Sequence, residues 1–153
     1  MEWLELKIPP VVVGACAGLL VWAGGAVPIL SWTVSAMLEG LAALLGVVGI
    51  LVAVAGVAAF YKARTTVNPH TPGKASLLVT RGIDAYSRNP MYTGLFALLL
   101  GWAVLQGGLL PLLLALVFIP FMTRFQIVPE ERVLRTLFGE DFERYQARVR
   151  RWI

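Results

Sequence analysis

The sequence predicts an all-α integral membrane fold: about four transmembrane helices, with a cytoplasmic loop and C-terminal amphipathic helices. Three observations carry that prediction. Of the 153 residues, 58% are hydrophobic and 14% charged, and the mean hydropathy is +0.76, a balance that ordinary soluble domains of this size do not show. Four apolar stretches approach the roughly 20 helical residues needed to cross a hydrocarbon core about 30 Å thick. All 13 Lys and Arg residues fall on one side of a four-span topology.

Residues 1–153 read as a single membrane domain. The first span, about 10–30, starts after Pro9-Pro10, a pair suited to a helix start, and ends near Pro28 and Ser31. Ala23-Gly24-Gly25-Ala26 looks like a processing site, but the leader holds Glu2, Glu5 and Lys7 instead of a basic region. The stretch is therefore read as a span and not as a signal peptide. The second span, about 36–60, is rich in Gly, Ala and Val. Spans at about 91–106 and 109–125 are separated only by Gln106-Gly107-Gly108, which predicts a tight antiparallel hairpin. Small residues at Gly14 and Gly18, and at Ala42, Gly46, Gly49 and Ala53, predict close helix contacts. Intramolecular packing is the simpler use of those ridges, with a homodimer through the same face as the alternative.

The basic residues set the topology. Lys7, the 61–90 loop and the chain from Arg124 onward share one side, and Glu39 is the only charge on the other. The positive-inside rule makes that first side, with both termini, cytoplasmic. The net charge of +4 thus reflects orientation toward anionic membrane lipids, and no nucleic-acid motif accompanies it. The single Cys16 and the single His70 exclude an intrachain disulfide and make no credible metal site.

The cytoplasmic tail, 129–151, begins at Pro129, a natural first helical residue, with Glu130 and Glu131 in the first turn where the helix dipole favours them. Gly139 stops that helix, and Glu140-Asp141 start another. In the last helix Phe142, Tyr145, Val149 and Trp152 line one side, with Arg144, Arg148 and Arg151 on another. Such a helix lies on the membrane surface or caps the bundle. Arg144 and Arg151 read as a solvated basic face.

Chemistry-bearing groups gather in the loop around Asn68 and His70, in Tyr86-Ser87-Arg88-Asn89-Pro90-Met91-Tyr92-Thr93-Gly94 and in this tail. Polar groups at the mouth of an apolar helix are costly unless they meet a ligand, a partner or water. Taken singly, Glu130-Glu131 are helix-end charges, Arg88 is an interfacial anchor beside Tyr86 and Tyr92, and His70 is a loop histidine.

Arg88-Asn89-Pro90-Met91-Tyr92-Thr93-Gly94, then an apolar hairpin, then Pro129-Glu130-Glu131-x-x-Leu134-x-x-x-Phe138-Gly139-Glu140-x-Phe142-x-x-Tyr145 resembles the isoprenylcysteine carboxyl methyltransferase and phospholipid methyltransferase superfamily over roughly residues 65–151. The family pattern has His where this chain has Asn89. The resemblance implies methyl transfer from S-adenosylmethionine at the cytoplasmic membrane face to a lipophilic small molecule entering from the bilayer. That acceptor is a prenylcysteine-like carboxylate or a phospholipid amine, and Arg124 leans slightly towards the carboxylate. It further implies cofactor binding by His70, Tyr86, Arg88, Asn89, Pro90, Tyr92, Gly94, Glu130 and Glu131, and catalytic roles for Arg124, Arg88 and Glu131. The fitting chemistry is modest. An in-line displacement from a sulfonium needs orientation and exclusion of water, a carboxylate to match the donor's charge, and a guanidinium able to hold a carboxylate. A non-enzymatic small transporter or accessory membrane subunit is the competing class, disfavoured because no ionisable residue stands mid-span.

Overall fold

The structure is a computed structural model and describes residues 5–63 and 77–153. Among these residues it is all-helical, apart from a single bridge between Ser31 and Gly108. The helices are α1 (Pro10–Gly25), α2 (Ala36–Lys62), α3 (Pro90–Leu105), α4 (Leu109–Met122), α5 (Val128–Phe138) and α6 (Glu140–Arg148). A 3₁₀ turn, Gly82–Ala85, precedes α3.

Helix starts follow local chemistry. Pro occupies the first turn of α1 and of α3, where a missing N–H costs nothing. Ser35 caps α2 by accepting from the Leu38 N–H at 3.4 Å. At the hairpin, Gly107 adopts φ +62°, and its carbonyl accepts from the Trp32 N–H at 2.8 Å. A Cβ there would lie 2.7 Å from the Trp32 carbonyl oxygen, so only glycine fits this turn.

α2 runs antiparallel along α3, with Gly49 against Gly94 and Ala42 against Gly101, and α1 packs against α3 and α4. The predicted small-residue ridge sets the α2–α3 distance. A Cβ on Gly94 would sit 2.5 Å from the Gly49 carbonyl oxygen, and one on Gly101 would sit 2.9 Å from the Ala42 carbonyl oxygen. Gly14 of α1 faces Leu95. The ridge residues Ala42, Gly49 and Ala53 thus serve packing within the chain, where close backbone approach gains dispersion contacts. A core of Val21, Leu99, Ala103, Ala115, Phe118, Met122 and Ile127 lies between α1, α3 and α4.

Among the described residues, two helices are long and apolar enough to cross a membrane: α2, with 27 residues, and the continuous helix Leu109–Phe138, with 30. α1 and α3 are apolar but have 16 residues each. Only 17% of α2's apolar window is buried, and Met37, Leu44, Leu51 and Val54 point outward. A core helix of a soluble protein would be mostly covered, and soluble monomers do not display apolar surface on this scale.

The tail departs from the sequence expectation. Pro129 does not begin a separate helix: α4 continues into α5 through a π turn, Thr123–Ile127. Pro129 has no N–H to give to the Phe125 carbonyl one turn back, and that carbonyl accepts from the Leu6 N–H at 3.1 Å instead. Gly139, at φ +50°, does separate α5 from α6. α6 ends at Arg148, and Val149 is extended at φ −117°, ψ 131°, so Trp152 and Arg151 are not on its helical faces.

Candidate active site

The polar groups converge where α3 begins and the π turn leads into α5. Glu131, 7% exposed, is the hub. It accepts from Arg88 Nη2 at 2.7 Å, and from Arg151 Nε at 3.0 Å and Nη2 at 2.8 Å. Three guanidinium N–H groups hold it as a carboxylate. Its neighbour Glu130 is treated differently. Its Oε1 accepts from the Tyr92 hydroxyl at 2.7 Å and from Gln126 Nε2 at 2.9 Å, and no cation pairs with it among the described residues. Adjacent residues on a helix point about 100° apart, which sends Glu131 to the arginines and Glu130 to the α3 phenol.

A cavity of about 90 Å³ lies between these groups, lined by Arg88, Asn89, Pro90, Met91 and Tyr92 from the α3 entrance and by Glu130, Glu131 and Leu134 from α5. Phe60, Phe142 and Tyr145 complete it. An apolar groove of about 370 Å³, lined by Pro10, Val11, Ala53, Val54, Val57, Met91, Tyr92 and Leu95, shares Met91 and Tyr92 with that cavity.

Beneath the cavity, the Tyr145 hydroxyl donates to the Asp84 carbonyl at 2.7 Å. Asp84 is 2% exposed, and its Oδ2 has no partner among the described residues. Burial pushes this carboxyl up to about 7, against the opposing pull of its own backbone hydrogen bond. Burial, and secondarily the Asp84 charge, raises the Tyr145 phenol, so Tyr145 stays a neutral donor.

Of the predicted site residues, Arg88, Asn89, Pro90, Tyr92, Glu130 and Glu131 meet at the cavity. Three do not. Tyr86 is 78% exposed and lines nothing here. Gly94 is spent on the contact with Gly49 and Ala53 of α2, so its missing Cβ serves helix packing instead of cofactor approach. Arg124 pairs with Glu5 and lies over the Phe125 ring at 5.5 Å, away from the cavity, because its place on the π turn aims it at the N-terminal segment. His70, with Asn68, lies outside the described residues. Arg151, expected on a solvated face, is instead a partner of Glu131, whereas Arg144 does remain exposed, beside Asp141.

Sequence reasoning missed Gln126 and Asp84. Gln126 stands four residues before Glu130, a spacing that pairs side chains only if the helix runs unbroken between them. Pro129 disguised that continuity.

The sequence pattern of the phospholipid methyltransferase family matches residues 37–141. An uncharacterized protein of Haemophilus influenzae is 40% identical over 63 residues, which are 41% of this chain and 100% of that protein. A protein-S-isoprenylcysteine O-methyltransferase of Schizosaccharomyces pombe is 42% identical over 77 residues, 50% of this chain and 32% of the yeast protein. This chain therefore matches about a third of that enzyme's length. No solved structure matches. The family match spans more than half the chain and contains the α3 entrance, the hairpin and the Glu130-Glu131 pair: the chain belongs to the phospholipid methyltransferase family.

Proposed function

We propose that the protein is an S-adenosylmethionine-dependent methyltransferase that acts at the cytoplasmic membrane face on a lipophilic acceptor entering from the bilayer. The observation that carries this reading is the shared wall. Met91 and Tyr92 border both a polar cavity holding Glu130 and an apolar groove on the outside of the bundle. In the proposed topology α1 to α4 span the membrane, both termini are cytoplasmic, and the cavity lies at that rim, consistent with the Lys and Arg distribution.

The residues fit a sulfonium donor by chemistry. Glu130 pairs with no cation among the described residues, and burial raises its carboxyl to about 7, so a positive ligand beside it would favour its charged form, and either form can accept from ribose hydroxyls. The aromatic side chains of Phe60, Phe142 and Tyr145 line the same cavity and can contribute cation–π attraction to a sulfonium. S-adenosylmethionine supplies an activated methyl group; the chain's own residues bind, orient and exclude water. At about 90 Å³, the cavity is smaller than the roughly 300 Å³ of typical ligand pockets, so binding requires its walls to part. The acceptor's hydrocarbon chain occupies the Pro10–Leu95 groove with its reacting head at Tyr92. Both a prenylcysteine-like carboxylate and a phospholipid amine suit that arrangement. Arg124 faces Glu5 and so favours neither acceptor.

The test is transfer of labelled methyl from S-adenosylmethionine into fractionated membrane lipids and prenylated thiols, with products identified by mass. Calorimetry of S-adenosylhomocysteine binding to the purified protein accompanies it. Label in a lipid fraction and micromolar-range binding are expected; folded protein that neither binds nor transfers would end the proposal.

A further inference from the structure

We infer that residues 149–152 form a strap that holds the α6 wall of the cavity in place, and that the side-chain donors of Arg88, Asn89 and Thr93 position this strap, although Arg88 and Asn89 also line the cavity. Position 89 accordingly requires a neutral N–H donor.

The α3 entrance is stitched to the chain after α6 through backbone carbonyls. Arg88 Nη1 donates to the Gln146 and Val149 carbonyls, each at 3.0 Å, and the Arg88 backbone N–H donates to the Arg150 carbonyl at 3.0 Å. Asn89 Nδ2 donates to the Arg151 carbonyl at 2.9 Å. The Thr93 hydroxyl lies 3.3 Å from the Trp152 carbonyl, while also within reach of the Asn89 carbonyl at 3.1 Å. Carbonyls at a helix end and in an extended segment have no partners of their own. Arg88 supplies them, and its charge sits favourably at the negative end of α6. Trp152 pins the far end of the strap: Nε1 donates to Thr123 Oγ1 at 3.1 Å, and the ring meets Phe96 edge-on at 6.4 Å.

This use of Arg88 bears on its role. Nη1 is committed to two carbonyls, Nη2 to Glu131, and the side chain is 8% exposed, with Nε buried and without a partner among the described residues. A guanidinium so engaged reaches a substrate carboxylate only by abandoning the strap. The docked strap in turn delivers the Arg151 side chain to Glu131, and α6, tied down at its end, presents Phe142 and Tyr145 to the cavity. Asn89 meets a carbonyl, so a carboxylate at that position would set acceptor against acceptor, whereas a neutral imidazole N–H would satisfy it. On this basis the Asn for His exchange in the Arg-Asn-Pro segment is chemically conservative.

The experiment compares full-length wild type with Asn89→Leu, Asn89→Asp and Asn89→His in detergent micelles, reading calorimetric binding of S-adenosylhomocysteine and hydrogen exchange of the strap-linked protons: the Arg88 amide bonded to the Arg150 carbonyl, the Val149 amide and the Trp152 indole N–H bonded to Thr123. The binding arm rests on the proposed function; the exchange arm does not. Leu and Asp should each raise exchange in the strap about tenfold and weaken binding by a similar factor, and His should restore both to within about threefold of wild type. Loss of binding with unchanged strap exchange would show that Asn89 touches ligand directly and overturn the inference, as would His behaving like Leu. If Asn89→Leu does not fold, Thr93→Val provides the decision: faster exchange confined to these strap-linked protons supports the strap, and no change refutes it. A wild type that binds no S-adenosylhomocysteine sinks the methyl-donor reading and leaves the exchange comparison to decide the strap.

Discussion

Replacing Glu131 with Gln removes the charge on which two arginines converge while leaving the volume nearly unchanged. In the wild type three guanidinium N–H groups point at this carboxylate, with side-chain exposures of 10% for Glu131, 8% for Arg88 and 35% for Arg151. Gln offers one oxygen and turns an NH₂ group toward donors, so at least one guanidinium loses its partner. Breaking a buried pair by removing one member costs about 3–5 kcal/mol, and the partial exposure of Arg151 places this case near the lower end, about 3 kcal/mol. For a chain of this size that is a drop of roughly 6–12 °C in the melting midpoint. The assay is thermal unfolding of the purified protein in micelles at neutral pH, with Arg144→Ala as comparator. Arg144 and Asp141 are 69% and 71% exposed, and such surface pairs contribute less than about 1 kcal/mol. A Glu131→Gln midpoint indistinguishable from that of Arg144→Ala would refute the hub assignment.

Gly94→Ala should destabilise the α2–α3 contact by about 1–3 kcal/mol, since the new Cβ would lie 2.5 Å from the Gly49 carbonyl oxygen and 2.7 Å from the Ala53 nitrogen, both backbone atoms. Gly46→Ala, with nothing within 4 Å, should be neutral, and equal melting midpoints for the two variants would contradict the packing role. The Asp84 carboxyl, raised to about 7 from 3.8, makes stability pH-dependent in a defined direction. The fold binds this proton more tightly than the unfolded chain does, so the contribution is complete below pH about 4 and is lost as pH rises through about 7, by at most roughly 4 kcal/mol. Asp84→Asn should flatten the fall in melting midpoint between pH 5 and pH 8; an unaltered slope would exclude Asp84 as its source.

How much of this site could be read from residues alone depends on whether neighbours in space are neighbours along a helix. Arg88, Asn89, Pro90 and Tyr92 occupy one turn at the entrance of α3, and Glu130 and Glu131 sit together on α5; the two ordered motifs are enough to associate the two groups. Their division of labour was not legible. Glu130 and Glu131 are adjacent and chemically identical, yet one takes two arginines and the other a phenol and an amide. Only the rotation of α5 against α3 distinguishes them. Gly94 fits the motif pattern as well as Tyr92 does, and it took the facing α2 backbone to show that its lack of a Cβ is needed for packing.

The sequence by itself determined the helical class, the hairpin at Gln106-Gly107-Gly108, the break at Gly139, the small-residue ridge and the family, because each depends on local propensity, apolar run length or an ordered motif. The tertiary structure decided the rest. It carried α4 into α5 across Pro129, since the Leu6 N–H serves the carbonyl that proline leaves free. It turned Arg124 toward Glu5 and recruited Arg151 from an apparently solvated face to the hub. It also ended α6 at Arg148 so that the following carbonyls could meet Arg88 and Asn89. Each outcome pairs a buried donor or charge with a partner far along the chain. Such pairings follow from where helices pack, and they leave no periodic signal in the sequence.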